Sequence, residues 1–280
     1  MTALGSFYRV AVDAFYRFDA VGGWAIASHI ALSILMAMFP FLILVAALAG
    51  FIGSSHLADV GARLIVAAWP QQVSSLITDQ IHSVVHGDLT TRRPDVVTLG
   101  VVFALYFSSS GLESLRVGLN RAYGVVERRP WWRLRFQSIG CVLLSAVALL
   151  VQAFFVVLGP LIFNPALDGV PWLGAIARLI VAAMVMAIAL VILHAWLPAG
   201  RRRLGEIWPG IAATLVLWLA IDFFFGRYLT TFSHTYVTYY AGLASVMIAL
   251  VFLYFCSWIF IFGGELNAAV SRAKLRRSRV

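Results

Sequence analysis

The chain has 280 residues, 62% of them hydrophobic and 12% charged, with a formal net charge of +9. That charged share is about half of the ~25% usual in a soluble domain, and the mean hydropathy is +0.92. No soluble core of this size hides so much apolar surface, so lipid must solvate most of it. The basic excess then reads as topology and anionic headgroups, not as nucleic-acid binding.

Residues 1–22 contain Asp13 and Asp19 and lack a compact apolar core. They read as a cytoplasmic N-terminal segment, not a cleavable signal. Six apolar segments follow: Gly23–Gly53, Asp95–Asn120, Gln137–Pro160, Gly174–Pro198, Ile207–Phe232 and Gly242–Val270. They are continuous runs, which favours helices over the alternating strands of a barrel. Pro40 should kink the first, and Pro160, Pro198 and Pro209 punctuate ends. The expected fold class is therefore all-α: a polytopic membrane helix bundle of about six spans, forming a single membrane domain over 1–280.

Residues 54–94 are long enough to fold outside the bilayer. Leu57, Val60, Leu64 and Ala68 share one helical face, and Val73, Leu76, Ile77, Ile81 and Val84 share another. Two short amphipathic helices are expected there, split by Pro70. Asp59, Arg63, Asp79, His82 and His86 are too many polar groups for hydrocarbon, at about 2.5–3.5 kcal/mol for each central charge. Asp79, His82 and His86 share a face with zinc-like spacing, but the wet face of an amphipathic helix looks the same, and no metal is assigned. Cys141 and Cys256 lie in apolar runs and read as small hydrophobes.

Of the 21 Lys and Arg residues, fifteen fall in 1–22, 121–136, 199–206 and 271–280. Only Arg63, Arg92 and Arg93 fall on the opposite side. This bias puts both termini in the cytoplasm, with 271–280 as a basic cytoplasmic tail. Trp24, Trp131, Trp132, Trp172 and Trp208 lie near predicted boundaries, as interfacial aromatics do.

Particular motifs add a family. The chain carries Phe-Pro at 39–40 inside ALSILMAMFPFLILVAALAG, LNRAYGV at 119–125, RRPWWRLRFQSIG at 128–140 and GGELNA at 263–268. With LPAGRRRLGEIWPG at 197–210, these resemble the YihY/BrkB family of bacterial inner-membrane proteins over nearly the whole chain. The resemblance implies a six-helix protein of the bacterial inner membrane, a family once labelled ribonuclease BN. It suggests transport of a lipid-like or small solute, and it supplies no catalytic residues to carry over. The turn before the last span reads TYYAGLAS, where the family more often has Tyr-Gly.

Charged groups inside spans are functional candidates because hydrocarbon penalises them. Glu113, Arg116 and Asn120 fall at i, i+3 and i+7 on the second span, with Ser109 and Ser110 before them. Glu265 and Asn267 end the sixth span. Both groups lie toward the cytoplasmic leaflet by the assigned topology, as a polar gate or as interfacial pairs that only stabilise. Asp222 and Arg227 stand in the fifth span about 140° apart around the helix, so each needs another partner or water. The five charged residues Glu113, Arg116, Asp222, Arg227 and Glu265 are expected to face the interior. His29 and His194 fit a proton relay less well than hydrogen-bonded packing.

No nuclease metal cluster, paired carboxylates, G-x-S-x-G or phosphate-cradling glycine loop is present, so no enzyme and no cofactor is expected. The leading function is transport or flipping of a lipid-like or small solute. The alternative is a non-transporting membrane scaffold or envelope-integrity factor. The partners expected are membrane lipids, with a homo-oligomer open, and no nucleic acid.

Overall fold

A computed structural model of the chain describes residues 3–51, 60, 94–167, 171–200, 202–240 and 243–277. These residues form an all-helical bundle of seven helices, with no strand among them. In chain order they are α1 (Ala3–Ala20), α2 (Gly23–Phe51), α3 (Pro94–Ala122), α4 (Trp131–Leu167), α5 (Pro171–Trp196), α6 (Leu204–Tyr240) and α7 (Ala244–Arg277). The outer segment 54–94, including Asp79, His82 and His86, lies outside the described residues except for Val60 and Pro94.

Four helices are long and apolar enough to cross a membrane, through Gly23–Val45, Trp131–Phe154, Leu204–Phe232 and Val246–Leu275. The described apolar segment of α5, Ala183–Trp196, is shorter. The 29-residue α3 has the length, about 44 Å at 1.5 Å per residue. Its Ser108–Ser110 run, Glu113 and Arg116 reduce its hydropathy. Four of the six expected spans thus meet the requirement among the described residues.

Residues 1–22 are more than a segment leading into the bundle. Val10, Ala14 and Phe18 recur every four residues, which places them on one face of α1. Ala14 and Phe18 are fully buried. Ala14 packs with Leu266 and Ala269 of α7, and Phe18 joins the main core with Ile30, Leu119, Ile211 and Ile261. The chain turns into α2 at Gly22, whose φ of 73° is a left-handed conformation that glycine adopts without strain.

The interior divides along the bundle. Around Phe18, Leu119, Leu190, Ile207 and Ile261, one core joins α1, α2, α3, α5, α6 and α7. A second joins α2, α6 and α7 through Met38, Leu42, Phe225, Leu229 and Phe252. A third joins α2, α3 and α4 through Leu44, Ala104, Val142 and Leu150. α7 is the central element: about 50% of its spanning window is buried, against 22% for α6. The α6 periphery carries exposed Val216, Leu219, Phe223 and Phe224, an apolar face suited to lipid.

Small residues permit the closest approach. Gly210 of α6 and Gly263 of α7 meet so tightly that a Cβ on Gly210 would strike the Gly263 carbonyl and the Asn267 side chain. Gly140 of α4 has open space instead. Gly210→Ala should therefore destabilise the protein by about 1–3 kcal/mol, the usual cost of overpacking. Gly140→Ala should be neutral or stabilising by up to about 1 kcal/mol through helix propensity. Thermal unfolding of the two purified variants in detergent checks this, and equal midpoints would contradict the packing.

Candidate functional site

The C-terminal end of α3 starts the site. Gly124, at φ 64°, ends the helix: its N–H donates to Arg121 O, and the Val125 N–H donates to Asn120 O. This is the paired closure of a Schellman motif. It turns the following loop back across the bundle end, where two constellations form.

The first ties the α3–α4 loop to the α5–α6 loop. Arg129 donates from Nε to Glu127 Oε1 at 2.8 Å and from Nη2 to Glu127 Oε2 at 2.7 Å, a two-pronged charge-assisted pair. Its Nη2 also reaches Leu197 O at 3.1 Å, and its Nη1 reaches Gln137 Oε1 at 3.0 Å. Gln137 donates to Trp196 O. Asn120 donates to Glu127 Oε2 at 3.1 Å and accepts the Ala199 N–H at 2.7 Å. One carboxylate thus organises four stretches of chain. Hydrogen bonds from Arg129 lower the Glu127 pKa to about 2 from its ordinary 4.5.

The second constellation lies where α6 and α7 meet. Pro209 has no N–H to give, and the next one, of Gly210, donates to Asn267 Oδ1 at 2.6 Å. Asn267 Nδ2 donates to Tyr123 OH at 3.2 Å. The Arg202 guanidinium stacks over the Tyr123 ring at 3.7 Å and donates to Ala199 O at 3.1 Å. Burial raises the Tyr123 pKa to about 12, so its hydroxyl keeps its proton. Arg17, Arg272, Ser271 and Glu206 complete the walls of a cavity of about 310 Å³. Arg272 pairs with Asp13 at 2.9 Å. Glu206 Oε2 accepts the Arg203 N–H at 3.2 Å, the back-reaching half of a capping box.

The sequence candidates separate in the structure. Arg116, Asn120, Glu265 and Asn267 are buried, while Glu113 is half-buried. Glu113 binds Arg135 at 2.8 Å and approaches Arg116 at 3.7 Å. Arg116 also donates to Leu134 O at 3.1 Å and Ser138 Oγ at 3.0 Å. This cluster links α3 to α4, not to α7. Glu265, 1% exposed, keeps one carboxylate oxygen, Oε2, without a partner among the described residues.

Asp222 and Arg227 correct the expectation that all five charged candidates face inward, because both are exposed on α6. Ile207, Ile211, Phe225 and Leu229 mark a narrow buried stripe on α6, and Arg227 lies on the opposite side of the helix while Asp222 stands at the edge of the stripe. His29 is exposed as well. His194 is fully buried, with Nδ1 at 3.0 Å from Leu190 O and its ring edge-on to Phe260. Among the described residues no three His, Cys, Asp or Glu side chains gather as a metal site.

The sequence reading counted Arg17, Arg129, Arg135, Arg202 and Arg272 as topology markers and missed their places in the site. Only the Arg-Arg-Pro-Trp-Trp-Arg spacing hinted at more, since it holds one arginine at a turn and returns others to a helix.

Glu127 gives a pH prediction. Its pKa is depressed in the folded state, so its stabilisation is complete above the ordinary 4.5 and lost as pH falls toward about 2. Glu127→Gln should cost roughly 1.5–3 kcal/mol at pH 7, the range for hydrogen bonds to charged groups. The gap from wild type should shrink below pH 4.5. Unfolding midpoints at pH 7, 5, 4 and 3 check this; a gap independent of pH would refute it.

A family model described as virulence factor BrkB matches residues 14–279. The chain is also similar to the ribonuclease-like protein YfkH of Bacillus subtilis (strain 168), at 27% identity over 268 residues. That match covers 94% of this chain and 95% of YfkH. No solved structure matches. The family match runs from α1 to the basic tail and takes in both constellations at the bundle end, so the chain belongs to the BrkB family of membrane proteins.

Proposed function

We propose that this protein resides in the bacterial inner membrane with both termini in the cytoplasm and moves a lipid-like or small solute through its helical bundle. The observation that carries this reading is a set of buried polar atoms that lack partners within the described residues. Thr214 Oγ1 on α6 and Ser257 Oγ, Trp258 Nε1 and Glu265 Oε2 on α7 are all of this kind. A buried polar atom without a partner is costly, and a carboxylate most of all. Water or a polar solute reaching these groups along α7 would offset that cost. Arg17 and Arg272, whose charges act on the Glu265 carboxylate, line the basic-end cavity, which gives such a path a mouth.

The scaffold reading draws on a different observation. Glu113 pairs with both Arg116 and Arg135 between α3 and α4, and only Arg135 Nε of that cluster lacks a partner among the described residues, as in a mainly stabilising cluster. The reading is non-enzymatic, since the sequence lacks nuclease metal clusters and paired carboxylates. The ribonuclease-like description remains one of YfkH. Membrane lipids are the expected surroundings of the exposed apolar faces.

Reconstitution in liposomes with a panel of labelled lipids and osmolytes tests transport. Glu265→Gln should leave protein abundance near wild type and lower flux at least about tenfold, equivalent to ~1.4 kcal/mol on the barrier. Unchanged flux at normal abundance would remove Glu265 as a transport group. Loss of abundance alone, with flux per folded molecule intact, would favour the scaffold.

Orientation has its own test. Arg128 and Arg203 are exposed, so Arg128→Cys and Arg203→Cys should react with an impermeant thiol reagent only from the cytoplasmic face. Labelling from the opposite face would invert the topology.

A further inference from the structure

The cavity at the basic end has walls from four parts of the chain: α1, the turn after α3, the α5–α6 loop with the first turn of α6, and α7. Its volume of about 310 Å³ is at the lower limit of small-molecule sites, which run from roughly 300 to 1,000 Å³. It suits a headgroup more than a bare ion. Three guanidinium groups face it, from Arg17, Arg202 and Arg272, against one carboxylate, that of Glu206.

The donors are largely uncommitted. Each guanidinium has five N–H groups. Arg202 gives one to Ala199 O, and Arg272 gives one to Asp13. Arg17 makes no hydrogen bond or close ion pair among the described residues, and its charge acts at longer range on the Glu265 carboxylate. Tyr123 OH accepts from Asn267, which leaves the hydroxyl proton to donate. The Tyr123 ring holds the Arg202 plane in place, so this donor is set before any ligand arrives. Glu206 opposes an anion, but Oε2 is engaged by the Arg203 N–H. Asp13 pairs with Arg272, and the Glu265 carboxylate feels both Arg17 and Arg272; an anion that accepts several hydrogen bonds relieves the repulsion that remains among the three guanidiniums. Arginine forks match phosphate oxygens in geometry as well as in charge.

We infer that this cavity binds a phosphate group, held by Arg17, Arg202 and Arg272 with Tyr123 as a neutral donor, either as an anionic lipid headgroup or as a free phosphate. As the entry site of a transported substrate it rests on the transport reading; as a binding site it stands without it.

The test uses the full chain in nanodiscs of phosphatidylcholine. Binding is measured by calorimetry with inorganic phosphate and with short-chain phosphatidic acid, at constant ionic strength against chloride. Wild type should bind at least one of these probes. Phosphatidic acid alone identifies a lipid headgroup; binding of inorganic phosphate with comparable affinity identifies a free anion. Arg17→Gln removes an exposed side chain at the end of α1 and should weaken binding about tenfold or more. Arg17→Lys should retain most of it, and the far-ultraviolet spectrum and unfolding midpoint of both should stay at wild type.

No binding of either probe, or equal binding by wild type and Arg17→Gln, overturns the inference. If chloride displaces phosphate at equal concentration, the cavity is merely basic and the inference also fails. The liposome flux assay separates the two proposals. Flux in wild type without phosphate binding would sink this site and leave transport standing. Phosphate binding that responds to Arg17, with no flux of any panel solute, would leave the site standing and sink transport.

Discussion

The close approach of α6 and α7 at Gly210 and Gly263 is the contact on which the basic end of this protein depends. Without side chains at those positions the two backbones come near enough for Asn267 to reach the Gly210 N–H. Pro209 beside it makes an outside acceptor useful in a helix whose ladder is interrupted. The Asn267 amide nitrogen then donates to Tyr123, and Tyr123 positions Arg202. One backbone contact thereby fixes the floor and one wall of a cavity that receives its other walls from α1 and the tail of α7. Larger side chains would part the helices and dissolve the arrangement at its root.

The chain treats intramembrane charge in three ways, and the differences are informative. Glu113 is shared between Arg116 and Arg135, whose guanidinium also lies 3.6 Å from the Tyr106 ring. Hydrogen bonds to Leu134, Ser138 and Tyr106 leave only Arg135 Nε of that cluster unpartnered among the described residues, so most of its desolvation cost is offset locally. Glu265 is as deeply placed but keeps an oxygen unanswered. Asp222 and Arg227 avoid the interior and stand on α6, the least buried of the four helices long and apolar enough to span. A protein that only needed stability would be expected to resolve Glu265 as it resolves Glu113. That contrast separates a structural charge from a candidate working one.

The loops at this end are as constrained as the helices. Glu127 and Arg129 belong to the α3–α4 turn, yet their bonds extend to Leu197, and Asn120 holds Ala199. Two loops far apart in sequence are thus one polar plate beside the cavity. Motion of α5 relative to α3 would have to break charge-assisted bonds, which are about twice as strong as neutral ones. α7 has no such plate, and Ser257 Oγ, Trp258 Nε1 and Glu265 Oε2 on it have no partner among the described residues.

Composition and periodicity by themselves determined that this is an all-helical membrane protein, and the motifs at 39–40, 119–125 and 263–268 determined its family. These are legible because lipid imposes a one-dimensional rule: a spanning segment must be long, apolar and internally hydrogen-bonded. The amphipathic α1 was legible too, in the spacing of Val10, Ala14 and Phe18, but two aspartates and the absence of an apolar run masked it. The burial of Arg116, Asn120, Glu265 and Asn267 agrees with the one-dimensional argument that polar groups avoid acyl chains. Which of them meet was decided only by the tertiary structure. Glu113 turned to Arg135 on α4 and not to α7, and Asp222 and Arg227 stayed outside. Arg17, Arg202 and Arg272, between 70 and 255 positions apart in the sequence, came to share one hollow. Sequence spacing fixes which residues share a face of one helix. Which faces of different helices meet follows from how closely the backbones can approach, and here two glycines set that distance.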